Sequence, residues 1–300
     1  MTRSSRTPGA ESAGRYRRNL FSWVMLTPGL IFLGAFLAVP FLLLFVISFR
    51  DVDNWMNMLP TYSLNQYLEV FTSRFYLHMI WTTLWVAIVT TVICIVLAYP
   101  AAYLLVRAPN RSVRTALYVI LVSPLLTSVV IRTFAWIVLL AQNGLVNEVL
   151  MKLALISEPL RLLWNLNAVI IAYVQVMLPF AVLPIATSMG EIDPRLRQAS
   201  MNLGAGRLRT FWKVTLPLTI PGMMSGAIIV FSLAAGSYIT PLLVGSRLQP
   251  LLPLAIYQQV LQVANLPLGA AMSMTLLLLV GVLVAGMGLI LRRWEGRMHG

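Results

Sequence analysis

The chain alternates long apolar runs with short polar and basic intervals. No charged residue falls between Leu20 and Phe49, and a run of that length exceeds the roughly 20 residues a helix needs to cross hydrocarbon. It is too long for a signal-peptide core and has no small-residue cleavage site after a short apolar region, so it predicts a retained helix. Further spans are predicted at Met79 to Val106, Thr115 to Ala141, Leu162 to Met189, Val214 to Val244 and Ala270 to Leu291, six in all. The pattern is that of an all-α membrane protein. Its expected parts are an unstructured segment over residues 1–19, rich in Arg, Ser and Gly, a membrane domain over 20–291 and a short tail over 292–300.

The intervals carry patterns of their own. Residues 51–78 hold Trp55, Tyr62, Tyr67, Phe71, Phe75 and Tyr76, a density that fits an interfacial aromatic belt or a docking surface. Between Gly245 and Gly269, the breaks at Pro250, Pro253 and Pro267 predict a short interfacial or re-entrant helix. The interval from Glu191 to Pro217, EIDPRLRQASMNLGAGRLRTFWKVTLP, is polar and rich in arginine. Asp193 is placed to cap a helix that has Pro194 in its first turn. Arg195 to Leu203 then reads as a short helix, and Gly204 with Gly206 supplies a break where φ can turn positive. A second helical stretch from Leu208 leads through Pro217 into the fifth span. Two readings fit these residues: a surface helix gripped by a partner outside the membrane, and a basic amphipathic loop resting on anionic headgroups.

Composition agrees with lipid as the solvent. The 300 residues are 59% hydrophobic and 10% charged, against the roughly 25% charged content of soluble domains. A formal charge of +13 raises nucleic acid as a partner. The basic residues, however, fall in clusters between apolar runs and not on a soluble fold with interleaved aromatics, which argues against it. One side collects Arg3, Arg6, Arg15, Arg17, Arg18, Arg107, Arg111, Arg114, Arg195, Arg197, Arg207, Arg209, Lys213, Arg292, Arg293 and Arg297. The other side has Arg50, Arg74, Lys152, Arg161 and Arg247. The positive-inside rule then places both termini in the cytoplasm.

Several chemistries find no footing. A phosphate-binding loop needs lysine directly after glycine, but Lys152 follows Met151 and Lys213 follows Trp212. The nine acidic residues lie in loops or tails, and His78 and His299 lie outside mid-membrane positions. An intramembrane hydrolase and a proton-relay transporter both need such groups within the spans. Cys94 is the single cysteine, which precludes an intrachain disulfide and reads as a packing residue; no histidine pattern for a metal is present. Arg132 is the one charge inside a span, and it is costly in hydrocarbon unless it faces a cavity or a partner. It reads either as a pathway or gate residue, or as a structural arginine capping carbonyls. Pro40, Pro100, Pro124, Pro179, Pro184, Pro221 and Pro241 are expected to kink spans, and Gly222 with Gly226 to bring two helices close within the fold.

Gln198-Ala199-Ser200, Gly204 after three residues, and Val214-x-Leu216-Pro217 after nine more match the spacing of a known pattern. This segment resembles the EAA loop of permease subunits in ABC importers, written Glu-Ala-Ala, three residues, Gly, nine residues, Ile-x-Leu-Pro. Gln198 stands in place of the usual Glu. The segments Leu26 to Gly29, Asn65 to Tyr67, Arg132 to Trp136, Asn143 to Asn147 and Tyr238 to Gly245 are similar to the spermidine/putrescine branch. In that branch Gly-Asp commonly precedes the aromatic residue, whereas here Ser237 follows Gly236.

The resemblance implies the six-span type I ABC importer (MetI-like) permease fold, with a cytoplasmic coupling helix between spans four and five. It implies an inner-membrane, multi-pass subunit that forms the pathway for a polyamine or a related solute such as a phosphonate or amino-acid derivative. The implied partners are a second permease subunit, two ATPase subunits, an extracytoplasmic binding protein and membrane lipid, with no cofactor and with ATP hydrolysis in a separate subunit. Arg195, Gln198, Ala199, Ser200, Gly204, Arg207 and Pro217 are the implied ATPase-coupling residues. Arg132, Trp136, Ser237, Tyr238 and Thr240 are expected at the pathway or its gate. An ATP-independent transporter or channel, or a membrane scaffold, is the competing class.

Overall fold

The computed structural model describes residues 9–53, 55–246 and 248–299, with side chains described from residue 26 to residue 293. Helix α1 (Gly9–Ile47) begins well before Leu20, so residues 9–19 are helical where the sequence predicts an unstructured segment. Glu11, Ala13 and Arg15 are good helix formers, and they extend a ladder already nucleated by the apolar run. Residues 1–8, and Arg247 from the charge count, lie outside the described residues. Beyond α1, strands β1 (Arg50–Val52) and β2 (Met58–Tyr62) pair antiparallel, with Arg50 opposite Tyr62 and Val52 opposite Met58. Helix α2 (Asn65–Thr72) follows. The aromatic interval divides: Trp55, Tyr62, Phe71 and Phe75 are exposed, while Tyr76 is buried. Tyr67 hydrogen-bonds Ser48 at 2.8 Å and packs on the Phe49 ring.

Helix α3 (Arg74–Val106) is the second span. The third departs from expectation, because the run from Thr115 to Ala141 is not one helix. Helix α4 (Arg111–Val122), capped by Asn110, gives way to a 3₁₀ turn over Ser123–Leu126 before α5 (Val129–Leu140) begins. Pro124 has no N–H to continue the ladder, and its ring crowds the preceding turn. Helix α6 (Leu145–Lys152) follows α5 after Gly144, so the membrane-length apolar stretch is Val129–Lys152. Asn147 is fully buried. Its side chain donates to the carbonyls of Ala141 (3.1 Å) and Leu160 (3.0 Å) and accepts from the Leu160 amide (3.0 Å).

Helix α7 (Leu166–Gly190) is the fourth span, capped by Asn165, whose Oδ1 accepts from the Ala168 amide at 2.9 Å. The interval from Glu191 to Pro217 holds α8 (Pro194–Asn202), α9 (Arg207–Thr210) and a π-helical turn over Phe211–Thr215, which leads directly into α10 (Leu216–Gly236). The fifth span is also interrupted: α10 stops at Gly236, Ser237 is extended, and α11 (Ile239–Val244) resumes. Helix α12 (Leu252–Leu261) occupies the predicted interfacial interval. Helix α13 (Leu266–His299) continues past Leu291, so the expected tail is helical as far as His299.

Among the described residues, six stretches are long and apolar enough to cross a membrane. The core is the packing of α3, α7 and α10, built on small buried residues such as Ala98, Ala102, Ala172, Ala181 and Ala234. Lipid supplies no hydrophobic drive between helices, so close van der Waals fit has to hold them together. A β-carbon on Gly222 would lie 2.6 Å from the Pro184 carbonyl oxygen, and one on Gly226 would lie 3.2 Å from Ala181 Cα. These glycines therefore set the approach of α10 to α7, as their spacing predicts. Cys94 is fully buried, with its Sγ 3.7 Å from the Val174 carbonyl oxygen, a packing position.

Candidate functional site

The interval between spans four and five is organised by its own short-range chemistry. Asp193 Oδ1 accepts the Arg195 amide at 2.8 Å, and Pro194 occupies the first turn, where its missing N–H costs nothing. Helix α8 ends where Gly204 takes φ +84°, a left-handed conformation that a side chain disfavours. Around that turn the amides of Leu203, Gly204 and Ala205 donate to the carbonyls of Ala199, Met201 and Ser200. Arg195, Gln198, Ala199, Gly204 and Arg207 are exposed, and Pro217 lies half-buried in the first turn of α10. Ser200 differs: half-buried, its hydroxyl lies 3.0 Å from that of Thr210, which is buried. That contact ties α8 to α9, a structural bond within the loop. Beneath, Tyr99 of α3 packs edge-on to Phe211 (5.6 Å) and hydrogen-bonds Thr219 at 3.2 Å, which seats the π-helical turn on the bundle.

The second group of residues lies where two broken spans meet, since α5 packs on α11. Arg132 donates from Nη2 to the Thr127 carbonyl at 3.1 Å, just before the start of α5. Its Nε and Nη1 are closed off from solvent with no acceptor among the described residues. The carbonyl-capping reading thus accounts for one of its three nitrogens. Trp136 donates its indole N–H to Gln175 Oε1 on α7 at 3.4 Å. The Ser237 carbonyl, freed by the break between α10 and α11, accepts from the Tyr173 hydroxyl at 2.7 Å. Tyr238 stacks on Tyr257 of α12, with ring centroids 4.9 Å apart and planes 17° apart. Thr240 is buried.

Two cavities flank this junction. One, of about 540 Å³, is lined by Ser232, Tyr238, Tyr257, Val260 and Ser273. The other, of about 850 Å³, is lined by Phe134, Ile137, Trp164, Leu242, Gln258 and Gln262. Of the five residues expected at the pathway, Tyr238 opens on the first, and Arg132, Trp136, Ser237 and Thr240 line neither. The five therefore share a junction of elements and not a single cavity. Sequence reasoning missed Tyr173, Gln175, Tyr257, Gln258 and Gln262. The legible signal was an amide side chain inside an apolar run, which seeks a partner when removed from water. Among the described residues, no group of three His, Cys, Asp or Glu is placed to hold a metal.

Residues 94–296 match the family described as binding-protein-dependent transport system inner membrane component. The chain is 32% identical over 249 residues to the spermidine/putrescine transport system permease protein PotB of Escherichia coli (strain K12), a match covering 83% of this chain and 90% of that one. It is 32% identical over 270 residues to the protein of the same description from Haemophilus influenzae, covering 88% and 89%. Among solved structures, a chain of a bacterial ABC transporter involved in the import of the acidic polysaccharide alginate has the same fold. There the TM-score is 0.77 at 19% identity, with 94% of this chain and 99% of that chain covered.

Proposed function

The chain belongs to the family of binding-protein-dependent transport system inner membrane components, and we propose that it forms half of a pathway for a polyamine or a related small organic solute. It is a multi-pass permease subunit of an ABC importer with the type I permease fold. In this reading a second, similar permease completes the pathway, two ATPase subunits dock on the cytoplasmic side, and a binding protein delivers solute outside. ATP hydrolysis belongs to the ATPase subunits. The clustering of arginine in residues 191–217 and near both ends of the chain supports a cytoplasmic position for the coupling interval and both termini.

The observation that carries the coupling role is the build of α8. It is a short capped helix turned by Gly204 at φ +84° and joined through α9 and a π-helical turn to the fifth span. Arg195, Gln198, Ala199 and Arg207 offer the exposed surface that an ATPase would grip. Closure of the ATPases would displace α8 and rock the spans between two discrete packings. The relatives named for spermidine and putrescine support a polyamine as solute, and the stacked Tyr238 and Tyr257 rings present π-faces suited to an ammonium group.

The test is uptake by proteoliposomes holding the assembled transporter, with ATP inside and the binding protein outside. Uptake of labelled putrescine or spermidine that needs ATP, and that is lost together with ATPase copurification in Gly204→Asp, is the expected result. Uptake unchanged by that substitution and by ATP depletion would instead identify an ATP-independent channel. A panel that includes a phosphonate and an amino-acid derivative decides the solute class.

A further inference from the structure

Between the cytoplasmic ends of α3 and α7 and the inner face of α8 lies a cavity of about 380 Å³. Its lining includes Tyr103, Arg107, Met189, Arg197, Gln198 and Met201. The charged groups among all its lining residues are two arginines, Arg107 and Arg197. The nearest acids in sequence do not neutralise them. Asp193 is engaged with the Arg195 amide, Glu191 is exposed, and neither lines the cavity. Arg197 is half-buried, and its Nε is closed off from solvent with no acceptor among the described residues. Arg107 is exposed and lies over the Tyr103 ring, 5.6 Å from its centroid, and among the described residues it forms no ion pair.

A buried cationic donor without an acceptor is costly. Two guanidinium groups around one cavity match the oxygens of a phosphate, which Arg can bind with parallel hydrogen bonds. Basic pockets between spans at the cytoplasmic edge suit anionic headgroups, and the apolar part of this lining suits the glycerol and acyl carbons beside them. We propose that this cavity binds a phosphate group between Arg107 and Arg197, presented by an anionic phospholipid headgroup or as free phosphate. The site rests on the cytoplasmic placement of α8. An occupied site would brace α8 against the ends of α3 and α7.

The test uses the assembled transporter in detergent. Native mass spectrometry follows binding of phosphatidylglycerol against phosphatidylcholine, and a thermal-shift series follows inorganic phosphate. The variants are Arg107→Gln/Arg197→Gln, which removes both cations, and Gln198→Glu, which keeps them but adds a carboxylate to the lining. Arg114→Gln, on α4 and outside the cavity, controls for net charge. A headgroup site predicts preferential phosphatidylglycerol binding that weakens about fivefold per arginine removed, falls in Gln198→Glu and holds in Arg114→Gln. A free-phosphate site predicts a phosphate-dependent rise in Tm with the same variant dependence and no lipid preference. Equal behaviour of wild type and cavity variants in both arms overturns the proposal. So does a wild type that binds neither probe, because a partner subunit's side chain then fills the cavity. Neither readout is solute uptake, so failure here leaves the transport reading intact.

Discussion

The Tyr173 hydroxyl of α7 reaches the Ser237 carbonyl across 2.7 Å, and so satisfies the backbone at the point where the fifth span breaks. Tyr173 is fully buried, and at membrane depth an unpaired carbonyl has no water to turn to. The break between α10 and α11 thus depends on a residue of another span.

Tyr173→Phe keeps the ring and removes the donor. The expected cost is about 1–2 kcal/mol, read as a lower Tm of the purified transporter and faster hydrogen exchange around Ser237 to Thr240. A Tm equal to wild type would mean that the carbonyl finds another donor.

Gly222→Ala forces a β-carbon to within 2.6 Å of the Pro184 carbonyl oxygen and of Ser188 Cβ. Separation of α7 from α10 is expected at a cost of about 3 kcal/mol, with loss of assembled protein in detergent. Gly286→Ala is the control, since a β-carbon there meets nothing within 4 Å. It should be neutral or stabilising by up to about 1 kcal/mol, as Ala exceeds Gly in helix propensity.

Asn147→Ala removes three hydrogen bonds that tie the start of α6 to Ala141 and Leu160. The Ala141 and Leu160 carbonyls keep the Gly144 and Leu162 amides as donors, so the expected cost of about 2 kcal/mol comes from the buried Asn147 side chain and the unpaired Leu160 amide. The Leu160 amide, which Asn147 accepts in the wild type, should exchange with solvent much faster in the variant.

Gly204→Ala meets no steric obstacle, because a β-carbon there has nothing within 4 Å, so its effect is conformational. Holding Ala at φ +84° costs about 1–2 kcal/mol, and Asn, which tolerates this region, should cost less. Coupled uptake is expected to fall in the order Gly, Asn, Ala, Val. A flat series would show that the turn is not needed for coupling.

The hairpin of β1 and β2 carries a pH dependence. Donation from the Ser63 hydroxyl holds the Asp51 carboxyl below the usual aspartate range, with Thr61 and Asn65 adding to it. The Asn57 side chain, with the Asn57 and Trp55 amides, does the same for Asp53. A depressed folded pKa means that this stabilisation is fully present above the unfolded value, near 3.9, and is lost as pH falls through the folded value. The Asn57 and Ser63 amide resonances should therefore be unchanged from pH 7 to about 5 and shift only below about 4. Shifts already complete at pH 5 would contradict the depressed values.

The six spans were legible because a membrane helix announces itself by length and composition, and the coupling interval because Asp193-Pro194 and Gly204 are local signals acting within a turn. The interruptions at Pro124 and Ser237 were not legible as breaks. Proline is tolerated inside α1, α3 and α7 as well, so its presence alone does not say which helix stops. The Ser237 break depends on Tyr173, a partner distant in sequence that no local pattern identifies. The junction of Arg132, Trp136, Ser237, Tyr238 and Thr240 was half legible: the residues were named, but their partners Gln175 and Tyr257 come from packing.

The glycine seam has a mechanical consequence. Helix α8 is strung between the end of α7 and, through α9, the start of α10, while Gly222 and Gly226 bring those two helices into backbone contact. Backbone against backbone leaves no side-chain layer to yield. In the proposed coupling, a load on α8 would reach two rods packed side by side, so the pair would tilt as one stiff crank, with compliance left to the interrupted joints at Ser123–Leu126 and Ser237.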